Sequence, residues 1–115
     1  MYLFVLFNRI VTYPPLPAKG GFCVTTDDYC CLAKGIYIND IIIDFYLKFL
    51  MVEEAKNDQH RYHSFSTHFS KRLISSLKFN SSENLSEKRH ERVQKWTKNI
   101  NIFDKDFIFI PVNKQ

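Results

Sequence analysis

Asn39-Asp40 followed by Ile41-Ile42-Ile43-Asp44-Phe45-Tyr46-Leu47-Lys48-Phe49-Leu50-Met51-Val52 constrains this chain more than any other feature. An Asn accepts hydrogen bonds from the free N–H groups of a helix's first turn, and a carboxylate one residue later sits well at the positive end of the helix dipole. From Ile41 to Val52 the only polar residues are Asp44 and Lys48, which with Asp40 make a line spaced by four. One thin polar line on an otherwise apolar cylinder predicts a helix buried on most sides, with partners around it.

The flanking sequence supplies candidate partners. Residues 1–13 alternate bulky apolar groups around Asn8 and Arg9 and read as an extended segment, closed by Tyr13-Pro14-Pro15. Pro17 and Gly20-Gly21 continue a non-regular passage. Thr25-Thr26-Asp27-Asp28 offers a hydroxyl cap with acids in the first turn, so a short helix is predicted through about Leu32, stopped by Gly35. Glu53 to Tyr62 reads as helix end and loop. A second helix is predicted over Thr67–Leu77, with Phe69, Leu73 and Leu77 on one face. Asn84, three residues before Glu87, opens a third helix marked by Leu85, Val93 and Trp96. Phe107-Ile108-Phe109-Ile110-Pro111-Val112 reads as a strand with apolar groups on both faces, which calls for cover on both sides.

Composition narrows the functional classes. With 45% hydrophobic and 16% aromatic residues, the 115-residue chain is globular in type and long enough for at most one domain. Its 16 Lys and Arg stand among 12 acids, so the net charge of +4 does not form a single basic block of the kind nucleic-acid binding needs. The densest basic stretch, Lys88, Arg89, His90, Arg92, Lys95 and Lys98, reads first as a solvated helix face and second as a surface for an anion or acidic partner. Cys23, Cys30 and Cys31 follow no zinc or redox spacing and read as free thiols. The apolar opening Met1–Phe7 lacks a basic n-region and a cleavage site, which argues against a secretory signal, and no run approaches membrane-spanning length.

Five blocks, taken in order, resemble the catalytic domain of the sentrin/SUMO-specific cysteine proteases (the ubiquitin-like-protein protease family, peptidase C48). They are Tyr13–Gly21, Asn39–Leu50, Phe65–Leu73 with its Lys71-Arg72-Leu73, Lys88–Thr97, and Ile102–Asn113. The proline-rich first block is most similar to the subgroup that edits poly-SUMO chains. The resemblance covers about residues 10 to 115, with 1–9 as an apolar lead-in. His68 and Ser70 depart from it, standing where the subgroup tends to have aromatics.

The resemblance implies an α+β architecture: the N-terminal portion of a papain-like cysteine protease fold, with helices packed on a partial sheet. It implies hydrolysis of SUMO isopeptide bonds by a His, Asp and Cys arrangement, in which an imidazole activates a thiolate and a carboxylate orients the imidazole. In the family these groups lie beyond the strand that ends this sequence. No catalytic residue is therefore assigned, and no peptidase activity is expected of the 115 residues. The expected partner is SUMO or a SUMO-conjugated protein, with no cofactor, no metal, no nucleic acid and no membrane, a monomeric state and a nuclear location.

Two positions carry over as substrate-binding candidates. Tyr37 matches an aromatic, often Trp, that helps close a tunnel over the Gly-Gly tail of SUMO; the alternative is a core role. Asp40 matches an acid that contacts a basic residue of SUMO; its place at the helix start is an equally sufficient explanation. The leading expectation is part of a deSUMOylating isopeptidase. The competing one is a non-catalytic SUMO-binding module, and a third is a product without function.

The remaining candidates have simpler readings. His60, His63, His68 and His90 have no cysteine nearby in sequence to complete a zinc site, and they read as surface histidines. Trp96, on the same face as Val93, reads as core. Phe79 falls in a predicted loop without an assigned partner.

Overall fold

The computed structural model describes residues 8–75 and 84–113. The predicted positions of Leu77 and Phe79 lie outside the described residues. The chain forms two compact units, Met1–Glu54 and Ala55–Gln115, and its class is α+β.

In the first unit, strands β1 (Arg9–Tyr13) and β2 (Phe22–Thr25) pair antiparallel, with Tyr13 opposite Phe22 and a bulge between Arg9 and Val11. The connection between them turns back tightly at Gly21, where a Cβ would lie 2.7 Å from the Pro14 carbonyl oxygen; glycine is required there by close approach. Thr25 ends β2 and caps α1 (Thr26–Cys30). The predicted hydroxyl cap is a full capping box, since the Thr25 hydroxyl accepts from the Asp28 N–H while the Asp28 carboxylate accepts from the Thr25 N–H.

The long apolar run forms α2 (Asp40–Phe49), and its end widens into a π-helical turn over Leu50–Glu54. Tyr13 fixes this turn against the hairpin. Its ring meets Phe45 and Phe49 edge-on at 6.1 and 5.6 Å, and its hydroxyl donates to Glu53 Oε1 at 2.5 Å. The helix is less enclosed than its composition predicts. Among its residues only Asp44 is buried, 4% exposed, whereas Tyr46 is 56% exposed. The hairpin and α1 cover one side of α2, so the polar line does not mark its solvent face.

In the second unit, a 3-10 turn over Gln59–Arg61 leads into β3 (Tyr62–Ser64), which pairs in parallel with β4 (Phe107–Phe109). Parallel pairing needs a crossover connection. Here it holds α3 (Thr67–Ile74), α4 (Leu85–Val93) and 3-10 turns at Gln94–Trp96 and Ile102–Asp104. Neither β3 nor the length of β4 was legible beforehand: the first begins at Tyr62, the end of a predicted loop, and His63 and Ser64 carried no strand prediction, while β4 ends three residues earlier than predicted.

The ladder is extended at both ends. Asp106 N–H donates to the Arg61 carbonyl at 2.8 Å, and Phe65 N–H donates to the Phe109 carbonyl at 2.9 Å. Arg61 Nε also donates to Asp106 Oδ2 at 2.6 Å. The core beside this ladder is Phe65, Phe69 and Val93, with Leu73, Trp96 and Ile102 packed against it. Phe65 and Phe69 stack with centroids 3.9 Å apart, and Trp96 stands edge-on to Phe69 at 6.1 Å. Ser70, one of the departures from the family's aromatics, is buried and donates to the Pro111 carbonyl at 2.5 Å, which ties α3 to the chain after β4. Phe107 and Phe109 lie on the face of Tyr62, with Ile108 on the other, and all three β4 residues remain exposed.

Candidate functional site

Tyr37 and Asp40, the two residues singled out in the sequence, lie three apart at the start of α2. The chain reaches them through a series of turns: Leu32 N–H donates to the Tyr29 carbonyl, Ala33 N–H to Cys30 and Ile36 N–H to Ala33, at 3.1 to 3.2 Å. Gly35 follows at φ +83°, a conformation that side chains with a Cβ rarely adopt. The backbone then runs extended to Asn39, which has φ −82° and ψ 169° and caps α2 by accepting the Ile42 N–H on Oδ1 at 3.0 Å.

This geometry presents an aromatic ring to solvent. Tyr37 is 97% exposed, and its neighbours Ile36 and Ile38 are exposed as well. Such a ring contributes nothing to the core of its unit. It offers a flat wall to whatever lies against it. Asp40 is half-buried in the first turn of α2, where the helix dipole favours its charge. The cap itself is Asn39, so helix initiation alone does not require the carboxylate at position 40. Together the two residues join an apolar surface to an anionic one, a combination suited to an extended peptide next to a basic side chain.

At the base of the loop that carries Tyr37 lies a polar cluster that sequence reasoning missed. Asn39 Nδ2 donates to Asp28 Oδ1 at 2.9 Å, and the Asn39 N–H donates to Cys31 Sγ at 3.5 Å. Asp28 Oδ2 accepts from both the backbone N–H and the hydroxyl of Thr25, each at 2.9 Å. The backbone N–H of Thr25 above all, then its hydroxyl and the Asn39 amide, hold Asp28 below its ordinary value of 3.8, against the opposing effect of burial. The acids of the Thr25–Asp28 segment were recognised as helix-start residues. Their reach to Asn39, eleven positions on, has no periodic signature.

The histidines divide unevenly. His60, His68 and His90 are exposed, as expected. His63 is half-buried, with its ring edge-on to Phe65 at 4.5 Å. Burial first, and the charge of Lys105 second, lower its pKa from 6.5. Among the described residues no group of three or more His, Cys, Asp or Glu is arranged to hold a metal ion, and no helix is long and apolar enough to cross a membrane. Cys23 is half-buried, Cys30 exposed and Cys31 buried, all three as free thiols. On α4, Arg92 donates to the Ser75 carbonyl at 3.0 Å, and in the 3-10 turn that follows, Lys95 sits 4.8 Å from the Trp96 ring centroid.

Residues 37–115 match the model of the Ulp1 protease family, C-terminal catalytic domain. Sentrin-specific protease 6 of Mus musculus is 50% identical over 111 residues, covering 93% of this chain and 10% of that protein. Sentrin-specific protease 7 of Homo sapiens is 45% identical over 114 residues, covering 95% of this chain and 11% of the relative. The chain thus spans about a tenth of the length of these curated relatives. A crystal structure of a de-sumoylating protease superposes with a TM-score of 0.66 at 28% identity, over 83% of this chain and 34% of that one. The match begins at Tyr37 and takes in α2 and the whole of the second unit, and on it the chain belongs to the Ulp1 protease family.

Proposed function

We propose that this chain serves deSUMOylation, the removal of SUMO from modified proteins, and that its own share is to hold SUMO through Tyr37 and Asp40. The observation that carries the reading is the placement of an almost fully exposed ring beside the capped start of α2, at the first residue of the family match. The Tyr37 ring would wall one side of the path taken by SUMO's Gly-Gly tail, which has no side chains to grip and is held by shape. Asp40 would meet a basic side chain of SUMO. The partner is SUMO, free or conjugated, met by a monomer in the nucleus.

The test is a titration of the isotope-labelled chain with mature SUMO, followed through backbone amide shifts. Saturable shifts centred on residues 36–43, strongly reduced in Tyr37→Ala and in the charge reversal Asp40→Lys, are expected. Binding that leaves those amides unmoved, or that survives both substitutions, would overturn the assignment. A parallel assay on a SUMO–peptide conjugate separates binding alone, which produces no cleaved product, from isopeptide hydrolysis.

A further inference from the structure

A ring as exposed as Tyr37 is not held by packing, so its position is decided by the backbone on either side. That backbone forms a closed loop. It leaves α1 at Cys31, runs through the turns to Gly35, and returns at Asn39 to the residues it left. The closure is double: the Asn39 N–H meets the Cys31 thiol, and the Asn39 side-chain amide meets the Asp28 carboxylate. The same Asn39 side chain uses its oxygen to start α2. One residue therefore ties the end of α1, the Tyr37 loop and the first turn that carries Asp40.

We infer that Asp28 and Cys31 are positioning residues for the SUMO-facing site, acting through Asn39 to set where Tyr37 and Asp40 stand. The inference rests on the reading of those two residues as SUMO contacts. Cys31 is buried, and Asp28 has both carboxylate oxygens engaged, so neither acts by touching SUMO. Their contribution is preorganisation: a loop closed before binding does not have to be ordered during it. Sulfur is a weak acceptor and the Asp28–Asn39 bond a charge-assisted one, so Asp28 carries the larger part.

The experiment compares SUMO affinity with amide hydrogen exchange in the same set of variants of the whole chain. Cys31→Ala and Asp28→Ala are expected to accelerate exchange at the Asn39 amide and across residues 36–38, and to weaken SUMO binding about three- to tenfold, the scale of one or two lost hydrogen bonds. Cys31→Ser, which keeps an acceptor for Asn39, recovers most of its effects, whereas Asp28→Asn, which keeps an acceptor oxygen but loses the charge, recovers part of them. Thr25→Ala is the control: it removes the hydroxyl half of the α1 capping box and lowers the thermal midpoint, yet leaves affinity within about twofold because the Asn39 bridge remains. Equal loss of affinity in Thr25→Ala and Asp28→Ala reduces Asp28 to a helix cap and overturns the inference. So does unchanged exchange at residues 36–39 in both alanine variants. If the unaltered chain does not bind SUMO, the functional reading falls, and exchange alone still decides whether these two residues position the loop.

Discussion

Phe69→Ala tests the organisation of the second unit at its centre. Phe69 is 7% exposed, stacked on Phe65 and crossed by Trp96, so the substitution removes a ring from between two others and leaves a cavity among Val93, Leu73 and Ile102. Removing a buried Phe side chain costs about 3–5 kcal/mol, the upper part of that range applying where neighbours cannot collapse. A unit of roughly sixty residues has about 3–9 kcal/mol in total, taking about 0.05–0.15 kcal/mol per residue. The variant is thus expected to lose about a third or more of the unit's stability and, where that stability lies near the lower end of the range, to be mostly unfolded at 25 °C. Phe69→Leu, which keeps most of the buried area and loses the ring pairs, should cost about 1–2 kcal/mol. Trp96 is the only tryptophan and packs on this core, so its emission in a urea titration reports this unit selectively. An unfolding free energy for Phe69→Ala within about 1 kcal/mol of the unaltered chain would refute the placement of Phe69 at the centre of the core.

Tyr13 gives a pH signature: partial burial first, then the hydrogen bond with Glu53 and its charge, push the phenol up to about 12. The folded value exceeds the ordinary 10, so the fold favours the neutral phenol; its contribution is complete below pH 10 and is lost as pH rises toward 12. A tyrosinate absorbance titration should show a late phenol at about 12 that Tyr13→Phe removes. Asp28 acts at the other end of the scale: its carboxylate contributes fully above 3.8, and that contribution is lost as pH falls below this value, so Asp28→Asn should flatten the acid limb of the thermal-midpoint profile. His63, lowered from 6.5 by burial, stabilises the fold in its neutral form, a contribution lost as pH falls below 6.5; an imidazole NMR titration should place it below that ordinary value. Gly21→Ala forces a Cβ to within 2.7 Å of the Pro14 carbonyl oxygen and should cost about 1–3 kcal/mol in a urea titration, with the loss registered in the β1–β2 hairpin.

What was legible in the sequence is what short-range chemistry writes there. The Asn39 cap, the Thr25–Asp28 start of α1 and the Asn84 start of α4 each depend on a side chain reaching a backbone group two or three residues away, and all three form. The β3–β4 pair depends on residues some 45 positions apart, and β3 itself, Tyr-His-Ser, has no alternation long enough to announce a strand. Asp44 shows a second limit. A polar residue on an apolar helix is ordinarily read as facing water, yet here Asp44 is the buried residue of α2, and periodicity cannot say in advance which side of a helix will be covered.

The candidate site follows the same division. Tyr37 and Asp40 were reached only through resemblance, because one exposed aromatic and one first-turn acid have no spacing that marks them as a binding pair. The residues that hold them were not reached at all, since Asp28 and Cys31 meet Asn39 across eleven and eight positions through a folded loop. Resemblance can point to residues proposed to meet a partner, since contact chemistry selects the residue type. The groups that fix where such residues stand act through local packing and can be filled in several ways. If Tyr37 walls the SUMO tail as proposed, a Tyr in place of the Trp that the resemblance suggests would present a smaller wall, and a ring that covers less of its target would have to be held closer to the right position. The double closure of the Tyr37 loop at Asn39 is the feature proposed to meet that demand.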